Sequence, residues 1–227
     1  MIHTTRLSTM FLVAVALIST AAVADDDNRR VKTYEVTISN ITKGQIFSPP
    51  VLVTHSRDVA VFALGEQALP ELVLVAEDGM GGPLASLLSG VPQVAEAQAT
   101  SAPILPGTSA VYAINSRSGF NVLSIVSMMV NTNDAFIAID SEDLPRSRHS
   151  SRSYYAIGYD AGSEANNEDC AFVPGPACAM GSGNARSTAA AEGFVHVHNG
   201  VHGIADLDAD GYDWRNPAAK ITVKRVR

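Results

Sequence analysis

Asn121-Val122-Leu123-Ser124-Ile125-Val126-Ser127-Met128-Met129-Val130, a short polar loop, and then Ala135-Phe136-Ile137-Ala138-Ile139 make up the densest apolar region of the chain. Apolar and β-branched residues at this density read as two strands, and the intervening Asn131-Thr132-Asn133-Asp134 reads as the loop that joins them. Strand-like runs continue on both sides. Thr33 to Ile38 alternates polar and apolar, Val51 to His55 and Val59 to Leu64 are β-branched or apolar, and Ala110 to Ile114 follows the turn signal Pro106-Gly107. Ser153 to Ile157, Phe194 to Val197 and Ala219 to Val226 complete the set.

This pattern predicts an all-β protein, and the most economical arrangement is an antiparallel β-sandwich with short peripheral helices. The helices are expected at Pro70 to Glu77 and Pro83 to Leu88, each led by a proline, with Gly79-Met80-Gly81-Gly82 ending the first. They are expected to cap one end of the sheets. Gly181 to Ala190, rich in Gly, Ser and Ala, is expected to be an exposed, mobile loop. No internal repeat or long linker divides the chain, and about 200 residues suffice for one core, so a single domain is expected.

The N-terminus points to export. Arg6 precedes the apolar run Met10 to Ile18, and Ala22-Val23-Ala24 forms an A-x-A cleavage signal, so residues 1–24 read as a signal peptide cleaved after Ala24. Ser19 and Thr20 interrupt the run well short of a membrane span. The acidic and basic residues from Asp25 are expected to be disordered to about residue 32. Export, to the periplasm or beyond the cell, agrees with the two cysteines, Cys170 and Cys178, which flank Pro174-Gly175-Pro176 and are expected to form a disulfide. The net charge of −7, to which the leader contributes only Arg6, argues against nucleic acid as a partner. Lys220, Lys224, Arg225 and Arg227 read as the solvated end of a last strand.

Two acidic loops carry the functional signal: Asn131 to Phe136, and Asp160-Ala161-Gly162-Ser163-Glu164, each placed after a strand-like run. Neither loop contains Lys or Arg. If the fold brings Asp134, Asp160 and Glu164 together, three hard oxygen donors need a divalent cation to offset their repulsion, and Ca²⁺ suits them best, with Asn133, backbone carbonyls or water filling the shell. The bland alternative is that these acids only serve as turn residues.

Other constellations are weaker. His196 and His198 form an H-x-H pair that a turn at Asn199-Gly200 could complete with His202, a candidate Zn²⁺ or Cu²⁺ site or an ordinary hydrogen-bonded strand end. Asp206-Leu207-Asp208-Ala209-Asp210-Gly211 begins like an EF-hand, but its twelfth position is Pro217 where a bidentate Glu is required, so an acidic turn is the better reading. Trp214 reads as a packing residue. No G-x-S-x-G elbow, H-E-x-x-H helix or Gly-rich phosphate loop is present, so no catalytic residues are expected. The enzymatic alternative is metal-assisted hydrolysis at the histidines with Asp206 or Asp213.

Several of these segments resemble the spondin domain of animal F-spondins: Ser127-Met128-Met129-Val130, the Asn/Asp loop closing in Asp134, and Tyr159-Asp160-Ala161-Gly162-Ser163-Glu164. Val36-Thr37-Ile38-Ser39-Asn40, Phe47-Ser48-Pro49-Pro50 and Ile104-Leu105-Pro106-Gly107 extend the likeness. Glu192 to His198 and Asp213-Trp214-Arg215-Asn216-Pro217 resemble bacterial spondin-like exported proteins. The resemblance spans residues 33 to 226. It implies a spondin-like domain over 33–227, of C2-like character, with one Ca²⁺ held by Asp134, Asp160 and Glu164. Two departures stand out: the first loop lacks the proline and tryptophan of the animal Ser-Pro-Asp-Trp loop, and Glu164 replaces an Asp. The function expected is a monomeric binding or adhesion module for an extracellular or cell-surface ligand, with a purely structural exported protein as the third class.

Overall fold

The computed structural model describes residues 31–178 and 185–227. Among these, nine strands form one antiparallel sheet: β1 (Lys32–Asn40), β2 (Val51–His55), β3 (Val94–Ala99), β4 (Ser109–Ser116), β5 (Val122–Met128), β6 (Ala135–Asp143), β7 (Ser151–Asp160), β8 (His196–Val197) and β9 (Ala219–Arg225). The order is β3-β2-β5-β6-β7-β9-β1-β4, with β8 added alongside β7. The end strands β3 and β4 approach each other, so the sheet curls nearly into a barrel. Side chains stitch that seam where a ladder would close it: Gln98 Nε2 donates to the Ala113 carbonyl at 3.1 Å, Asn115 N–H to Glu96 at 3.0 Å, and Thr54 Oγ1 to the Asn115 carbonyl at 2.6 Å.

Burial explains why some strands read as continuous apolar runs and others alternate. In β2, β5 and β6 both faces are covered. Leu52, Leu123, Ile125, Ile137 and Ile139 point into the barrel with Val36, Ile38, Ile221 and Val223. Val51, Val53, Val126, Phe136 and Ala138 point the other way, under helices α1 (Pro70–Asp78) and α2 (Gly81–Ser89). A period of two sends alternate residues to opposite cores. On β1, by contrast, the outward positions meet solvent, which gives the polar–apolar alternation seen from Thr33.

The helices lie against the outer face of β2, β5 and β6, not over an end of the sheet as their sequence suggested. Their apolar residues recur at helical spacing, Leu72 with Val75 and Ala76, and Leu84 with Ala85 and Leu88, and so need a sheet face to bury against. Pro70 opens α1, and Gly79 closes it at φ 66, with the Met80 N–H donating to the Leu74 carbonyl. Helix α3 (Ala209–Tyr212) is a single turn capped by Asp208.

Several expectations need correction. Val59 to Leu64 is not a strand: Val61 and Phe62 leave the sheet plane to pack on the outer core, with the Phe62 ring 5.3 Å from Phe136 and 4.9 Å from Tyr159. Phe194 to Val197 reduces to the two residues of β8. Strand β3, with the polar Glu96 and Gln98 in it, had no apolar run to announce it. Lys32, at the end of the segment expected to be disordered, pairs with Ser116, and residues 25–30 of that segment lie outside the described residues. The leader and cleavage site lie outside the described residues. Among the described residues no helix is long and apolar enough to cross a membrane. The disulfide joins Cys170 and Cys178 as expected, with Cα atoms 5.3 Å apart.

Candidate functional site

Strand register brings the two acidic loops together. Ala135 at the start of β6 faces Asp160 at the end of β7, so Asp134 and Asp160 become neighbours although 26 positions separate them in the chain. The Ala161 N–H donates to the Asp134 carbonyl at 3.2 Å and extends the contact past the ladder. Gly162, at φ +68, then reverses the chain so tightly against Phe194 that a Cβ would lie 2.3 Å from the Phe194 carbonyl oxygen. The turn folds Ser163 and Glu164 back over Asp134. Asp134, Asp160 and Glu164 are all fully buried.

Their oxygens are unequally satisfied. Asp134 Oδ2 accepts from the Ser163 N–H at 2.8 Å, the Ser163 hydroxyl at 3.1 Å and the Glu164 N–H at 2.9 Å. Asp160 Oδ1 accepts from the Gly162 N–H at 2.6 Å, and its Oδ2 from Asn166 Nδ2 at 2.5 Å. Glu164 Oε1 accepts from the Ser187 N–H at 3.1 Å. Among the described residues, Asp134 Oδ1 and Glu164 Oε2 are buried without a well-formed hydrogen bond, although the Asn133 side chain interacts with the Glu164 carboxyl and opposes its rise. A buried carboxylate oxygen left bare is costly, so this pair asks for a cation or a proton. Burial and the neighbouring Asp160 raise the Asp134 carboxyl to about 7, against opposing hydrogen bonds from Glu164 and Ser163. Burial raises Glu164 to about 7 as well, and burial raises Asp160.

One cation of the chain stands at the rim. Arg186 Nε is 2.6 Å from Glu77 and 3.9 Å from Glu164 Oε1, and its guanidinium also pairs with Asp78. It links the end of α1 to the acidic loop. The described part of the Gly-, Ser- and Ala-rich segment expected to be a mobile loop is therefore anchored: Arg186 holds α1, and Ser187 clamps Glu164 while its carbonyl accepts the Ala165 N–H at 2.7 Å. Residues 181–184 of that segment lie outside the described residues. Glu77, Asn166, Arg186 and Ser187 were all missed from the sequence. Asn166 alone left a hint, sitting two residues from Glu164 in a polar turn.

The histidines make hydrogen bonds of the kind an ordinary strand end makes. His198 Nδ1 accepts the Gly200 N–H at 2.9 Å, so its Nε2–H donates to Asn166 Oδ1 at 2.9 Å. With both nitrogens engaged it has no lone pair for a metal. Burial, aided by His196 and His202, pushes His198 down to about 4, so it is neutral at physiological pH. Asn166 passes the contact on to Asp160, which makes His198–Asn166–Asp160 a chain bracing the site from below. His196 stands 3.7 Å from Asp160, and exposed His202 Nε2 lies 3.2 Å from the Asn199 carbonyl. Among the described residues, no group of three or more His, Cys, Asp or Glu side chains is arranged to hold a metal ion, and this covers both the histidines and the three acids.

The acidic segment from Asp206 forms no ion loop: Asp206 accepts the Cys170 N–H at 3.0 Å and Asp208 caps α3. Trp214 packs, as expected, with its indole against Gly158 and its ring 5.0 Å from His198. No protein-family model matches this chain, and no curated protein matches it.

Proposed function

We propose that this chain is an exported, non-catalytic binding or adhesion module of the spondin type, a C2-like sandwich whose acidic loops are ordered by Ca²⁺. It acts as a monomer toward an extracellular or cell-surface ligand. The observation that carries the reading is the pair of bare, buried oxygens, Asp134 Oδ1 and Glu164 Oε2, in loops that β6–β7 register brings side by side. Calcium is an oxygen-seeking ion that takes six to eight ligands, drawn from carboxylates, carbonyls, amides and water. Asp134 and Glu164 would contribute those oxygens directly. Asp160, both of whose oxygens are already engaged, would contribute charge and hold Asn166 and Gly162 in place. Because three carboxylate side chains do not converge on one point, the rest of the shell falls to Asn133, main-chain carbonyls and water.

The spondin likeness rests on the quoted segments alone, since no family model supports it. The absence of a recognised catalytic motif, and histidines whose nitrogens serve the fold, favour a module over a metal-dependent hydrolase. Isothermal titration of the chelator-stripped protein with Ca²⁺, alongside Asp134→Asn and Glu164→Gln, tests the reading. Saturable binding lost in both variants supports it. A wild-type protein that takes up no calcium up to ~10 mM, a hundred times the ~0.1 mM affinity of extracellular modules, refutes it.

A further inference from the structure

Strands β6 and β7 pair only as far as Ala138 and Ile157, after which β7 turns away to pair with β9 through Ser151 to Ala156. The parting opens a cleft of about 360 Å³ on the outer face, within the size range of small-ligand sites. Phe62, Leu64, Tyr155, Tyr159, Asp140 and Glu142 line it, with the Phe62 and Tyr159 rings in contact at 4.9 Å. Among the described residues, no Lys, Arg or His lines it.

A bulge in β6 shapes it. Leu123 pairs with Glu142 and Ile125 with Ile139, so Ser124 alone faces both Asp140 and Ser141, and Ser141 takes φ 56. The Ser124 hydroxyl replaces the missing ladder partner by accepting the Ser141 N–H at 2.9 Å. It also lies 2.7 Å from Asp140 Oδ1 and 2.7 Å from Nε2 of the fully buried His55, whose Nδ1 lies 2.7 Å from the Ser56 carbonyl. A carbonyl only accepts, so Nδ1 carries hydrogen. Ser124 has one hydrogen for two remaining partners, so either Nε2 or Asp140 must supply another. In both cases His55 and Asp140 together are neutral. Asp140 is thus internally compensated, and the buried Ser124 cannot act as a nucleophile despite its Asp and His neighbours.

Glu142 is the cleft's other charge. Among the described residues its carboxylate makes no hydrogen bond or contact ion pair; Arg57 and Arg152 act on it only from a distance, since both are paired with Asp143, at 2.5 and 3.7 Å. We propose that the cleft between β6 and β7 binds an organic cation, an alkylammonium or guanidinium group, held by the Glu142 carboxylate and the faces of Phe62, Tyr155 and Tyr159. Aromatic faces attract such cations, and a carboxylate in a partly dry site pairs with them strongly.

The test is a titration followed by ¹H–¹⁵N shifts with three probes: agmatine as a free guanidinium, acetyl-Gly-Arg-Gly-amide as a basic side chain on a peptide, and maltotriose as a neutral ligand that stacks on aromatic rings. Agmatine binding with shifts confined to residues 138–142 and 155–159 supports a small-molecule cation, and binding by the peptide alone supports a partner's basic side chain. Either must weaken at least tenfold in Glu142→Gln and in Tyr155→Ala, both at positions open enough to leave the core intact, and must weaken as salt rises. No binding by either cation, affinity unchanged in Glu142→Gln, or maltotriose binding in preference overturns the proposal. A probe bound at the acidic loops would instead shift residues 131–135 and 160–166, so the two sites are read separately and failure of one leaves the other standing.

Discussion

Stripped of divalent ions, the protein should lose stability as pH rises from 4 to 7. The carboxyls of Asp134 and Glu164 lie at about 7 in the folded chain, against ordinary values of 3.8 and 4.5. Between those limits the folded state holds protons that the unfolded state has released, so unfolding releases protons and stability falls with pH. Above about pH 7 the loss is complete and the curve flattens. At about 1.4 kcal/mol per unit of displacement, Glu164 alone accounts for roughly 3 kcal/mol, an upper bound because the loop can relax and admit water. Asp134, coupled to Asp160, acts in the same direction.

Calcium should reverse this loss. With a dissociation constant near 0.1 mM, ~1 mM Ca²⁺ stabilises by roughly 1.4 kcal/mol and ~10 mM by roughly 2.7 kcal/mol. For a domain of this size that is a rise of about 3–6 °C in Tm at the lower concentration. The assay is thermal unfolding at pH 5, 6, 7 and 8 in chelator and in CaCl₂. The two curves should coincide near pH 5, where protons satisfy the bare oxygens, and diverge by pH 8. A chelated protein as stable at pH 8 as at pH 5, or a calcium response equally large at both, would refute the reasoning.

Asp134→Asn should invert the order of stability: in chelator it relieves repulsion with Asp160 and matches or exceeds wild type, whereas in ~10 mM Ca²⁺ it falls below wild type by about 2 kcal/mol, measured by urea unfolding. Gly162→Ala places a Cβ 2.3 Å from the Phe194 carbonyl at a positive φ, so it should destabilise by more than the ~1 kcal/mol typical of the left-handed strain alone and abolish calcium binding. Reducing the Cys170–Cys178 bridge should cost up to about 2.6 kcal/mol, with hydrogen exchange rising locally around residues 170–178 and the sheet still protected. Phe136→Ala, emptying a fully buried site between sheet and helices, should cost about 3–5 kcal/mol in the same unfolding assay.

How much was legible depended on whether a local pattern carried the information. The two-sided burial of β5 and the front of β6 wrote itself into unbroken apolar runs, and the prolines before Leu72 and Leu84 marked both helices. What could not be read was pairing. Nothing in Val94 to Ala99 signals an edge strand, because its side chains answer to β4 across the seam through Gln98 and Glu96. The acids of the site were legible as residue types in loops. Their unequal satisfaction was not, since it depends on Asn166, Ser187 and Arg186 reaching back from as far as 23 positions away in the chain. For the same reason the histidine spacing left two readings open: H-x-H records which face the rings share, and it says nothing of the Gly200 N–H and Asn166 amide that occupy the His198 nitrogens.

Two cations are candidates for the acidic loops, Arg186 of the chain itself and the proposed Ca²⁺. Arg186 pairs with Glu77 and Asp78 and comes within 3.9 Å of Glu164 Oε1, the oxygen that already accepts from Ser187. It therefore neutralises charge at the rim and leaves Oε2 bare. Its Nε and one terminal nitrogen face Glu77 and Asp78, and the other terminal nitrogen donates to the Ala185 carbonyl at 3.2 Å. The two functions should separate by substitution. Arg186→Gln should loosen α1 against the loop, visible as faster hydrogen exchange at Glu77 to Gly79. It should also raise calcium affinity by removing a competing positive charge. Were calcium affinity to fall instead, Arg186 would be a support of the ion site and not its rival.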